Sequence, residues 1–282
     1  MRTRKASDIA SKGQGAVLLA LAVLAAVIAV AAQAAGFFVA GTLGLPAESV
    51  QSALVAELCG AIPAVVFMVV GGGASWAAPS GGDIRYAFRF AWFYLAVSVG
   101  ITVVSLAWMA LSGTSLCEGW ISRLAFAVPA CLAIGVFEEF TFRGLVFNGL
   151  MSVLGERGSG PLWAALVTSA FFAIAHLSLP VAESGLPGLL PSLLKMVQMF
   201  MYSVVLCAVV IHTRRLGGVS LFHALDDLIL VIPGVVLLDM PMGQTLVPSG
   251  GDAVSIVCHL VIVALYLPVF VKALRSLGST DE

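Results

Sequence analysis

The amino-acid sequence predicts an all-α fold, a polytopic integral membrane bundle of about eight transmembrane helices around a polar intramembrane cavity. Two observations carry this expectation. Of 282 residues, 60% are hydrophobic and only 10% charged, whereas a soluble domain carries roughly 25% charged residues. The apolar residues also fall in long runs, and a hydrocarbon core about 30 Å thick needs about 20 of them per helical crossing. The runs are too long for barrel strands and lack the period-two alternation that a barrel requires.

The runs cover approximately 15–36, 53–71, 90–112, 123–150, 161–180, 193–213, 218–238 and 253–272. The first follows a basic start (Arg2, Arg4, Lys5), as a secretory signal would. Its apolar length of about 20 residues exceeds the roughly 7–15 of a signal peptide, so it reads as a retained helix. Between the second and third runs, residues 72–88 (GGASWAAPSGGDIRYAF) are rich in Gly, Ser and Pro. An interfacial turn is expected there, leading into Tyr86, Phe88 and Phe90 as headgroup anchors.

Positive residues are retained on the cytoplasmic side of a membrane. With eight crossings and a cytoplasmic N-terminus, Arg2, Arg4, Lys5, Lys12, Arg85, Arg89, Arg157, Arg214, Arg215, Lys272 and Arg275 fall inside. Arg123 and Lys195 fall outside or at the outer boundary, and Arg143 stays within the fourth crossing. A count of seven or nine spoils this partition. Both termini are therefore expected in the cytoplasm.

A net charge of −1 gives no ground for nucleic-acid binding, and the basic N-terminus serves as an orientation signal. The five cysteines (Cys59, Cys117, Cys131, Cys207, Cys258) form no CxxC pair, so neither a disulfide framework nor a thiolate metal site is indicated. No inverted repeat of the transporter kind is present. The chain divides into residues 1–120, scaffold helices one to three; 121–238, helices four to seven with nearly all the buried polar chemistry; and 239–282, the eighth helix.

An ionisable residue inside a membrane helix costs about 2.5 kcal/mol or more, so it marks a functional site by default. Three places qualify. In EEFTFRG (138–144), Arg143 lies one turn after Glu139 and can hold it ionised. Glu138, about 100° around the helix, is left free for general-base work. In FFAIAH, His176 follows Phe172 by one turn; in FHALDD, His223 shares a face with Asp227. Asp227 can orient the imidazole, or both can project into one cavity. Two carboxylates, two histidines and a further acid are the parts for water activation and oxyanion stabilisation. Counting residues puts Glu138 and His176 near the midplane or beyond and His223 closer to the cytoplasm, so the helices are expected to tilt or to start at different levels. His212 and His259 read as structural, the latter without a recognisable partner. Glu57, Glu183 and Asp239 fall near outer boundaries and read as solvated.

The series Glu138-Glu139-x-x-x-Arg143, Phe172-x-x-x-His176 and His223-x-x-x-Asp227, each in its own apolar run, resembles the CPBP family of intramembrane proteases. These are the type II CAAX prenyl endopeptidases and their bacterial bacteriocin-processing or immunity relatives. The likeness spans roughly 120–235. It implies that Glu138 activates water with help from His176, that Glu139 and Arg143 order the site, and that His223 with residue 227 stabilises the oxyanion. It also implies an integral protein of a bacterial cell membrane, with membrane lipid and a membrane-associated peptide or protein as partners. Many members carry Asn where this chain has Asp227.

With Asp227, the carboxylates Glu138, Glu139 and Asp227 against Arg143 give the site a formal charge of −2, which a low-dielectric cavity does not hold cheaply. Either a carboxyl is protonated or a divalent metal is bound. His and carboxylate donors suit Zn²⁺ or another divalent ion, with Glu138, His176 and His223 as candidate ligands, and no local motif demands a cofactor. Two other readings compete with proteolysis: a non-catalytic membrane binding or bacteriocin-immunity protein that keeps the constellation, and a transporter whose acids relay protons.

Overall fold

A computed structural model of the chain describes residues 2–155, 158–177, 181–242 and 253–278, with side chains from residue 13 onward except 181–188. Arg157 and the side chains of Arg2, Arg4, Lys5, Lys12 and Glu183 thus lie outside the described residues. Among the described residues there is no strand, and each expected run is a helix: α1 (Arg2–Thr42), α2 (Val50–Ala77), α3 (Gly81–Leu111), α4 (Trp120–Leu154), α5 (Gly160–Ala175), α6 (Val181–Thr213), α7 (Gly217–Val236) and α8 (Ala253–Gly278). Seven are long and apolar enough to cross a membrane, while α5 has only 16 residues. The polytopic helical membrane class holds, and the expected run 161–180 is the one that falls short of a full crossing.

The surface has the polarity of a protein dissolved in lipid. Phe38, Val70 and Leu111 are 76%, 81% and 85% exposed, a condition natural in hydrocarbon and prone to aggregation in water. Without a hydrophobic drive between helices, close packing falls to small residues. Gly36 of α1 lies against α2, where an added Cβ would stand 2.6 Å from the Ala56 Cα. Gly135 of α4 lies against α7, where a Cβ would meet the Ser220 carbonyl oxygen and stand 3.0 Å from the Ala224 nitrogen. This second approach sets Glu138 and Glu139, one turn further along α4, beside His223 of α7.

Two departures from regular helix frame the same region. Residues Glu139–Phe147 of α4 are π-helical, a form common at functional sites and invisible in apolar periodicity. At the end of α2, Gly72 adopts φ 91° and bends the last turn. Only residues 78–80 then lie outside helix before Ser80 and Asp83 form a reciprocal capping box for α3.

The expected interfacial turn over 72–88 is therefore a tight corner, and it docks α7. The Leu216 N–H donates to the Trp76 carbonyl at 2.8 Å, and the Gly218 N–H donates to Oδ2 of buried Asp83 at 2.6 Å. Tyr86 stacks on Phe90 and lies 5.2 Å from the His212 ring, so these aromatics pack within the bundle. At about 1.5 Å per residue, Glu138 lies roughly 24 Å from the Leu154 end of α4 and His223 roughly 9 Å from the start of α7. Docking α7 on the α2–α3 corner offsets its start and reconciles the two depths.

Candidate active site

The buried base of the cluster is Glu139 with Arg143. Both side chains are 0% exposed, and Arg143 Nη1 donates to Glu139 Oε1 at 2.9 Å. The guanidinium also lies 4.5 Å from the centre of the Phe172 ring, a cation–π contact that α5 contributes. The same Oε1 accepts from Nδ1 of His223 at 2.8 Å. Glu139 is thus the carboxylate that orients His223, as a buried acid orients the imidazole in a hydrolytic triad. Of the two arrangements expected for Asp227, orienting the imidazole or sharing its cavity, the geometry is that of the second: Asp227 faces the other nitrogen, with Oδ2 3.7 Å from Nε2.

His176 is the C-terminal cap residue of α5, with φ −94° and ψ 4°. Its Nδ1 contacts the Phe172 carbonyl oxygen at 2.8 Å. A carbonyl only accepts, so Nδ1 carries the proton and Nε2 is left as the basic nitrogen of the neutral ring. Nε2 lies 3.7 Å from Glu138 Oε1, and His223 Nε2 lies 3.6 Å from Glu138 Oε2. Atoms at such spacings do not hydrogen-bond directly, yet one water at about 2.8 Å can touch both members of each pair.

The structure therefore brings all six expected residues together from α4, α5 and α7. Glu138, His176 and Asp227 keep side-chain exposures of 16%, 25% and 28%, whereas Glu139 and Arg143 keep none. The reactive edge is open and its support is closed. Tyr202 of α6 was not foreseen; its ring meets His223 edge-on at 5.3 Å. In the sequence Tyr202 is one aromatic in an apolar run, and nothing there signals the contact.

Outside the cluster, Glu57 is not solvated as expected but 7% exposed, with Oε1 accepting from Gln33 Nε2 at 2.8 Å. His259 has a partner after all, since its Nδ1 lies 2.9 Å from Gln198 Nε2. Lys195 is half-buried in the first turns of the apolar stretch Leu189–Thr213. Asp239 is exposed and paired with Arg123 at 2.6 Å. The five cysteines are free.

The donor types at the cluster suit Zn²⁺, but no group of three or more His, Cys, Asp and Glu among the described residues is arranged to hold a metal ion. Nδ1 of His223 is engaged by Glu139, which leaves its Nε2, like that of His176, as the nitrogen that faces Glu138.

Apolar helices enclosing a buried ion pair, with two histidines and a partly open glutamate above it, define a polytopic membrane protein with a Glu/His site. Residues 119–229 match the family model described as Rce1-like, type II CAAX prenyl endopeptidase Rce1-like. Over this segment the chain is similar to that family, and the segment contains all six residues of the cluster. No curated protein and no solved structure matches the chain.

Proposed function

We propose that the protein is an intramembrane endopeptidase that hydrolyses a peptide bond of a membrane-associated peptide or protein. The observation that carries this reading is the approach of His176 Nε2 and His223 Nε2 to the two oxygens of Glu138, at 3.7 and 3.6 Å. A water held by Glu138 and His176 attacks the scissile carbonyl carbon. Glu138 takes one of its protons and returns it to the departing amine as the C–N bond breaks. His223, fixed through Nδ1 by Glu139, donates from a protonated Nε2 to the oxygen on which charge develops, and Asp227 balances the imidazolium. With α5 counted as a crossing despite its length, the partition of Lys and Arg supports cytoplasmic termini, and the resemblance supports a bacterial membrane as the setting.

The test is cleavage of a library of membrane-anchored peptides by protein purified into lipid, with products identified by mass spectrometry. Wild type cleaves and His223→Ala does not, while both stay folded. Equal cleavage by the two removes the cluster from the chemistry.

Asp227 has a separate expected outcome. Asn in its place supplies an amide donor beside the oxyanion and removes one negative charge. Asp227→Asn is expected to keep cleavage within about tenfold of wild type, with the same relative rate after chelation, because Asp227 is not among the candidate ligands Glu138, His176 and His223. A response to chelator that disappears only in Asp227→Asn would instead put an ion against that carboxylate.

A further inference from the structure

Among the described residues, Glu57, Glu138, Glu139 and Asp226 each keep a buried carboxyl oxygen without a hydrogen-bond partner. Three of these belong to the matched segment, and Glu57 does not. Gln33 of α1 satisfies one Glu57 oxygen. Gly60, one turn further along α2, packs on the ring of Phe137, the neighbour of Glu138, so α2 meets α4 at the level of the site. The Glu57 carboxyl interacts electrostatically with Glu138, Asp227 and His223.

A packing role for the Gln33–Glu57 pair explains Oε1 and leaves Oε2 without purpose. A neutral glutamine would join α1 to α2 equally well, without setting another acid among acids. The cations nearby, with the His223 imidazolium counted against Asp227, do not balance the set. Arg143 is engaged by Glu139, and Lys195 of α6 interacts electrostatically with Asp227. Buried carboxyls in such surplus are stabilised by a partner of opposite charge, and a substrate is the component that can bring one.

We propose that Glu57, carried by α2 and held by Gln33, is a further carboxyl of the site and makes it select a membrane-tethered peptide with a positive charge beside the scissile bond. The inference rests on the proteolytic reading for the identity of the ligand as a substrate, and its test is independent of cleavage. α1 and α2 then contribute to specificity rather than to scaffold alone.

The experiment measures binding of paired membrane-anchored peptides to protein in lipid nanodiscs, each pair differing by Lys or Gln at one position along the segment. Wild type is expected to bind the best Lys peptide at least about tenfold tighter than its Gln twin. Glu57→Gln is expected to cut that ratio to about threefold or less by weakening only the Lys peptide. In a second measurement on wild type, a carbodiimide joins the bound lysine to a neighbouring carboxyl as an amide, and the expected attachment is at Glu57. Equal binding of both twins by wild type would mean that protons already neutralise the carboxyls and would overturn the proposal. An unchanged ratio in folded Glu57→Gln, or attachment only at other acids, would overturn it as well. A charge preference without hydrolysis leaves this inference standing and removes the proteolytic one; hydrolysis without preference does the reverse.

Discussion

Glu138→Gln is expected to lower the cleavage rate about a thousandfold, within the range of about 10²–10⁴ associated with a positioned general base. The amide keeps the size of the side chain and its approach to His176 and His223, so what it removes is the capacity to take a proton from water. Because Glu138 is the one glutamate of the pair with an open face, at 16% exposure, the substitution leaves the buried support intact. Thermal unfolding should therefore shift little. The measurement is the initial rate on one anchored peptide at saturating concentration, beside an unfolding curve for each protein. A rate near wild type would assign proton removal to His176, whose Nε2 is the other base within reach of the same water.

The largest loss of stability is expected from Arg143→Leu. Removing one member of a fully buried ion pair strands the other, at a cost of about 3–5 kcal/mol. Here the stranded group is Glu139, with 0% exposure and one oxygen already lacking a hydrogen bond. The contact of the guanidinium with the Phe172 ring is lost as well. Unfolding of the purified protein in detergent should move accordingly. The double variant Glu139→Gln, Arg143→Leu should recover most of the loss, because no uncompensated charge remains. It should stay inactive, since His223 loses the carboxylate that orients it. A double variant as unstable as the single one would show that packing around Phe172, and not charge, dominates at this place.

Much of this arrangement was legible in the sequence because the informative pairs are local. Glu139 and Arg143 are four residues apart on one helix, and their contact follows from helical geometry alone. The same spacing gave Phe172 and His176, although the sequence does not reveal that α5 stops there or that Nδ1 closes its last turn. Contacts between helices left no such trace. Glu139 and His223 are 84 residues apart, so spacing along one helix offers only Asp227 as an orienting acid and cannot reveal Glu139 in that place. The pairing of Gln33 with Glu57 leaves no trace in the sequence for a related reason. Each lay near the expected end of an apolar run, where a polar residue costs little, yet α1 continues to Thr42 and α2 begins at Val50. Asp83 was hidden in a segment whose Gly, Ser and Pro content suggests a loop, and its role depends on the backbone of Gly218.

The brevity of α5 ties this site to the membrane around it. Sixteen residues measure about 24 Å, some 6 Å less than a typical hydrocarbon core of about 30 Å. Lipids flanking α5 must thin to match it, or its polar end must lie beneath the headgroups. In both cases the depth of His176 is set by bilayer thickness as well as by neighbouring helices. Sterol-rich and sterol-poor membranes, or long-chain and short-chain lipids, are thus different solvents for this protein, and the mismatch concentrates where His176 meets Glu138.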